Sequence, residues 1–342
     1  MTIQMFIFVV SLVIGVFGFW GNGNIVLATF RRKDFQSKCG RITVARAPRV
    51  NTAFSGVLIA ILACGDTVCM AFVWHNSLRS ILPVITYRSA CFWTISPYLF
   101  ALNFQTCVMC SIASDRLFAI CAPIKYRMMS TRTYICICIT PGVFFGLATV
   151  IFGGAVLEED KISMCNPSFA LPDIVNTFNN RFSLALSVVT LCIYVVSLVL
   201  LQVKRKQMRK RSERGVEYSH LMQQQKVMRT ITLVVVVFLC SWFYAHLSVF
   251  IAITFELKGG FLDFAMRTVT VPAMFCYASN YYIYLWRGRD YRRAFKEQFM
   301  YLYTCKRIGA KVSVVRTSGV HNQSSADTFC AQTVHVQPKH SS

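Results

Sequence analysis

Charged side chains are scarce in this sequence. They make up 15% of its 342 residues, against roughly a quarter in soluble domains. That is too little to wet the surface of a water-soluble fold, so the composition asks for a bilayer as solvent. Acids are the scarcer sign, 14 against 36 lysines and arginines. No segment alternates with the period of two that a barrel strand needs, which leaves closed helices as the spanning element. No nucleophile–base constellation occurs, the six histidines are scattered and the cysteines build no metal-ligand framework. An enzyme is therefore not expected. The hydropathy pattern has no internal repeat and no paired broken helices, which argues against the rival class of membrane transporter or channel.

What is present is a set of seven apolar runs, near 5–30, 54–78, 91–121, 133–157, 178–203, 227–255 and 264–286. Each reaches the length of about 20 residues that a spanning helix requires. The expected fold class is an all-α membrane protein, a bundle of seven transmembrane helices. The first run is too long for a signal peptide, has no basic residue before its apolar part, and continues past Gly21-Asn22 to Arg31; it reads as a true span. A net charge of +22 points to nucleic acid only until the charges are placed. Thirty of the 36 cations fall on one face, in 31–53, 116–132, 204–229 and the segment from Arg287 onward. The other face holds Arg79, Arg88, Lys161, Arg181, Lys258 and Arg267, with Glu158, Glu159, Asp160, Asp173, Glu256 and Asp263 beside them. The positive-inside rule then sets the N-terminus outside and the C-terminus in the cytoplasm of a multi-pass plasma-membrane protein. The cations read as anchors to anionic lipid, and no nucleic-acid partner is expected.

Most of the 15 cysteines stand singly on apolar runs, where a free thiol behaves as a small hydrophobe. Two differ: Cys91 opens the third run on the outer side, and Cys165 lies in the acidic outer loop. A disulfide between them would tie the third helix to that loop in an oxidising compartment. Asp66 lies mid-span, where a carboxylate needs partners. Over 289–302, Tyr291, Phe295 and Phe299 recur at spacing four with Arg292, Arg293 and Lys296 between them, the pattern of an amphipathic eighth helix on the inner leaflet. Residues 1–302 are expected to form the seven-helix domain with its juxtamembrane helix, Cys305 is a candidate for palmitoylation, and the polar 303–342 segment is expected to be a disordered cytoplasmic tail.

The inner end of the third run reads Asp115-Arg116-Leu117-Phe118-Ala119-Ile120, followed by Pro123 and Tyr126. This resembles the Asp-Arg-Tyr signature of rhodopsin-like (class A) G-protein-coupled receptors, and Cys91 stands at that family's spacing, 25 residues before Arg116. Gly21-Asn22, Leu62-Ala63-Cys64-Gly65-Asp66, Phe238-x-x-x-Trp242, Ser279-Asn280-Tyr281-Tyr282-Ile283-Tyr284 and the run 289–295 are similar to further family elements. The run Ala113-Ser114-Asp115-Arg116-Leu117-Phe118, the Cys165-Asn166-Pro167 loop and Cys240-Ser241-Trp242-Phe243 look most like the nematode serpentine chemoreceptors of the Srsx group. Departures are also present: Tyr281 follows Asn280, Tyr244 stands two residues after Trp242, and no proline lies near Leu186. Proline is expected at all three, so fewer kinks follow.

The resemblance implies a receptor that turns binding of an extracellular molecule into activation of a heterotrimeric G-protein. It implies an activation switch of Asp115, Arg116, Tyr194, Asn280 and Tyr284. It also implies a polar core of Asn22, Asp66, Gln105 and Asn280 that could hold a sodium ion, although Gln105 replaces a smaller serine and is large enough to fill the site. Where amine receptors carry an aspartate, 18 residues before Arg116, this chain has Tyr98, so a biogenic amine is not implied. A lining of Tyr98, Leu102, Trp242, Phe243 and His246 suits a small apolar or weakly polar ligand. A peptide docking on the acidic outer loops, as in a neuropeptide receptor, is the alternative. Finally, Asp66 comes 16 residues later after Ser37 than in family receptors, and removing 41–56 restores the register. A basic loop extension and a retained intron both account for the surplus, and sequencing the transcript decides between them.

Overall fold

In a bilayer no backbone N–H or C=O can go unpaired, so each apolar run closes into a helix. The structure, a computed structural model, describes residues 3–31, 53–81, 86–162, 165–210, 216–255 and 268–304. In chain order the elements are α1 (Ile3–Arg31), α2 (Ala53–Ile81), β1 (Thr86–Tyr87), α3 (Arg88–Cys121), α4 (Pro123–Met128), α5 (Thr131–Ala155), β2 (Lys161–Ile162), α6 (Pro167–Ala170), α7 (Asp173–Lys210), α8 (Val216–Thr254), α9 (Thr270–Arg287) and α10 (Arg289–Thr304). Cys305, the tail beyond it and residues 41–52 of the surplus segment lie outside the described residues. Residues 53–56 of that segment form the first turn of α2.

Seven of these helices cross the bilayer: α1, α2, α3, α5, α7, α8 and α9. Five have both the length and the hydropathy to do so on their own. Helix α8 starts with the polar stretch Gln223–Lys226 and is apolar from Thr232 to Thr254. The 18 residues of α9 include Tyr277, Ser279, Asn280 and Tyr284, which are all buried inside the bundle. Spans read from hydropathy alone are therefore weakest where the helix carries the polar interior.

The same inversion governs α7. Its lipid side shows Val188, Val189, Val195, Val196 and Val199, while Asn180, Ser183, Ser187, Thr190, Tyr194 and Ser197 turn inward and are buried. Ser187, Thr190 and Ser197 give their hydroxyls to carbonyls four residues back, at 2.8 Å each. Such back-bonding satisfies the hydroxyl within the helix and bends it mildly.

Helix α3 runs through the middle, against α2, α5 and α7. Its close approach to α5 depends on small residues. A Cβ at Gly142 or Gly146 would lie 3.0 Å from the carbonyl oxygen of Phe104 or Phe100, so glycine is what lets the two backbones meet. At the outer end, β1 and β2 pair antiparallel with Thr86 opposite Ile162. Arg88 bonds Asp160 through its backbone N–H (2.8 Å) and its guanidinium (3.4 Å). A disulfide joins Cys91 to Cys165. Together these fold the second outer loop, with α6, over the mouth of the bundle. At the inner end, α10 turns back beneath α9, stitched by Arg292 to the carbonyls of Leu285 (2.9 Å) and Trp286.

Candidate functional site

Three polar constellations occur along the axis of the bundle. The innermost is built where α3 leaves the membrane. Asp115 and Arg116 are both buried there. The Arg116 guanidinium donates to Asp115 Oδ2 through Nε at 2.9 Å and through a terminal nitrogen. The other carboxylate oxygen, Oδ1, accepts from the hydroxyl of Tyr126 on α4 at 2.9 Å. Burial first, and then the neighbouring carboxylate, push the Tyr126 phenol far above the ordinary tyrosine range, so it stays a donor. Phe118, Tyr126 and Tyr134 pack ring against ring around this pair and hold α4 in place. Lys204 of α7 reaches the Ile120 carbonyl at 2.5 Å and closes the end of α3. Tyr194 donates to the Met228 carbonyl at 3.2 Å, fastening α7 to α8. Tyr284 is buried against Tyr291, within electrostatic reach of Arg116 and Tyr194.

The middle constellation surrounds Asp66. Gln105 Nε2 donates to Asp66 Oδ1 at 2.9 Å and Asn280 Nδ2 donates to Oδ2 at 2.8 Å. The Cys69 thiol, 3.7 Å from Gln105 Oε1, fixes which way that amide points. Gly65 makes the room, because a Cβ there would fall 2.8 Å from Gln105 Nε2. Asn22 does not join them: its Nδ2 donates to the Tyr277 carbonyl at 3.0 Å. A sodium ion takes oxygen ligands, whereas the Asp66 carboxylate here faces two N–H donors. The residues present do not fit that ion, since the Gln105 side chain fills the space and supplies the positive end of its amide dipole instead. Replacing sodium by N-methyl-D-glucamine is accordingly expected to leave the thermal midpoint of the purified protein unchanged. Gln105→Ala should lower stability by about 1–3 kcal/mol by leaving a buried carboxylate short of a donor. A wild-type midpoint that follows sodium concentration would contradict both statements.

The outer constellation is a cavity of about 150 Å³ between α2, α3, α7, α8 and α9, roofed by Asn166, Pro167 and Leu171 of the outer loop. Trp242 and Tyr277 pack edge to face, with ring centroids 6.5 Å apart, and Tyr98 lines the same cavity. Asparagines line it at Asn76, Asn103, Asn166, Asn176, Asn179 and Asn180, and no acidic, basic or histidine side chain does so among the described residues.

Residues 15–299 match the family of serpentine type 7TM GPCR chemoreceptors named Srsx. The chain belongs to that family. No curated protein matches it. Membership makes this Srsx protein a chemosensory G-protein-coupled receptor, embedded in the membrane by several crossings, and places it with receptors, not with an enzyme class.

Within the Srsx receptor, Tyr98, Leu102 and Trp242 line the outer cavity. Phe243 does not. It is 44% exposed and stands outside the lining, because one residue beyond Trp242 is 100° further around the helix and faces lipid. The side chain of His246 lies outside the described residues. Reading the sequence missed Tyr126 as a partner of the Asp115 carboxylate, and it missed the asparagines of the cavity. A signal for the latter exists in Asn176, Asn179, Asn180, Ser183, Ser187 and Thr190, which recur at spacings of three and four inside an otherwise apolar run. That is the stripe a helix hides from lipid.

Proposed function

We propose that this receptor, with its N-terminus outside and its C-terminus in the cytoplasm, detects a small uncharged external molecule. The ligand sits in the outer cavity on Trp242 and Tyr98. Its binding favours a bundle in which Arg116 leaves Asp115 and Tyr194 leaves the Met228 carbonyl, opening the inner face to a heterotrimeric G-protein. Such a shift needs only differential affinity of the ligand for the two arrangements. The observation that carries this reading is the lining of the cavity, which is aromatic and amide-rich, with no ionisable acid or base among its described residues. A charged ligand would be desolvated there with no counter-ion, which is costly. A peptide fits less well, because about 150 Å³ beneath the roof of the outer loop admits only a few heavy atoms. The counter-charge Asp115, the Tyr194 bond that fastens α7 to α8 and the burial of Tyr284 against Tyr291 support the roles given to Arg116, Tyr194 and Tyr284.

The test has two parts. Epitope tags at the two termini, stained before and after permeabilisation, should appear outside and inside respectively; both tags on one side would overturn the topology. A second-messenger reporter cell expressing the receptor should then respond to members of a panel of uncharged small molecules and not to peptides. A response confined to peptides would overturn the ligand class.

A further inference from the structure

Two side chains of the outer cavity carry hydrogen-bonding capacity that the protein does not use. Asn103 on α3 is only 2% exposed. Its Nδ2 donates to the Leu99 carbonyl at 3.1 Å, which fixes the orientation of the amide. The Oδ1 left over has no partner among the described residues, and Asn103 lines the cavity. Across from it on α7, Asn179 lines the same cavity with a buried Oδ1 that bonds nothing, and its Nδ2 has no partner among the described residues. Several of their neighbours are engaged: Asn166 Oδ1 accepts from the Phe169 N–H at 3.0 Å, and Asn176, Asn180 and Ser77 all have partners.

An amide atom that faces the cavity loses water when a ligand enters, so a ligand that pairs Asn103 Oδ1 and Asn179 Nδ2 binds better than one that leaves either unpaired. Asn103 offers a fixed acceptor. Asn179 offers a donor, and turning its amide over would offer an acceptor instead. The neutral group that answers both is one that donates and accepts through a single small centre. We propose that Asn103 and Asn179 form a hydroxyl-recognition pair, so that the cue is a small neutral alcohol whose O–H donates to Asn103 Oδ1 while its oxygen accepts from Asn179 Nδ2. A ketone or ester only accepts and leaves Asn103 Oδ1 buried and unpaired. An ammonium would satisfy Asn103 but finds no carboxylate in the lining, and a carboxylate finds no cation. The size agrees: a cavity of about 150 Å³ matches apolar cavities that admit benzene-sized molecules, so the apolar part has about five or six carbons. This inference rests on the uncharged-ligand reading and names its chemistry.

The experiment is a thermal-shift titration of the purified full-length receptor in nanodiscs with five compounds of one chain length: 1-pentanol, pentane, 2-pentanone, pentylamine and pentanoate. The alcohol is expected to stabilise the receptor at a concentration about tenfold below that of the ketone or the alkane, the ratio of roughly one hydrogen bond. In Asn103→Leu and in Asn179→Leu that preference should vanish, with pentane gaining where pentanol loses. Since either variant could fold poorly, each is first required to be stabilised by pentane at least as well as the wild type. If neither is, competition by the five compounds against a cavity-directed fluorescent probe on the wild type gives the ranking. Equal affinities for alcohol, ketone and alkane, or no binding of the alcohol, would overturn the hydroxyl pair and leave the uncharged-ligand reading intact wherever a neutral compound binds. Tightest binding of pentylamine or pentanoate would overturn both.

Discussion

Arg116→Ala is expected to reduce ligand-stimulated second-messenger output to background, a fall of roughly 100-fold, while the receptor still reaches the cell surface. The expectation follows from where the guanidinium sits. It is buried beside Asp115 at the inner end of α3, and two of its nitrogens bond the same carboxylate oxygen. Charge-assisted pairs of this kind are the strong ones, so on the proposed reading the pair holds the closed arrangement until something better is offered. Removing the arginine removes both the restraint and the group that a G-protein would meet. Asp115→Asn separates the two effects. It weakens the restraint and keeps the arginine, so ligand-independent output should rise several-fold, with Tyr126→Phe raising it less because only one neutral hydrogen bond at 2.9 Å is lost. An Arg116→Ala receptor that signals at wild-type level would show that the coupling surface lies elsewhere.

Cys91→Ser should lower stability by about 4 kcal/mol, the entropy of opening a loop of this length. The two cysteines are 74 residues apart. The consequence reaches the cavity, because Asn166 and Leu171, which roof it, lie just beyond Cys165 and are positioned by that bond. Thermal unfolding of the purified receptor and surface staining should both report the loss. Cys165→Ser should match Cys91→Ser, and the double variant should be no worse than either, since one bond can be lost only once. A double variant twice as impaired would mean that the cysteines contribute separately, through packing.

Much of the bundle was legible in the sequence for one reason: in lipid the backbone has a single economical solution, so an apolar run of sufficient length is a helix. The crossings and the amphipathic α10 follow from patterns local to one segment, and the Cys91–Cys165 bond from the two cysteines that stand apart from the apolar runs. What was not legible depends on distance between segments. Trp242 and Phe243 are neighbours in sequence, yet one enters the cavity and the other faces lipid; hydrophobicity does not distinguish them, and only the rotation of α8 does. Asp66 clearly required partners, but whether these would be an ion or side chains turned on Gln105 finding room beside Gly65. Asn22 was expected beside Asp66 and instead bonds the backbone of α9, while Gln105 and Asn280 occupy the two carboxylate oxygens. Tyr126 was visible as part of a motif, but its bond to Asp115 required α4 to fold back beneath α3, which no periodicity in six residues can announce.

The hydroxyls that α7 returns to its own carbonyls have a further consequence. A proline concentrates bending at one joint, and a single substitution there stiffens or frees the whole lever. Ser187, Thr190 and Ser197 spread the same compliance along the helix over 187–197. No one of them is a hinge, so mutational loss of any one leaves the helix able to flex, and sequence drift along this segment can proceed without freezing the receptor.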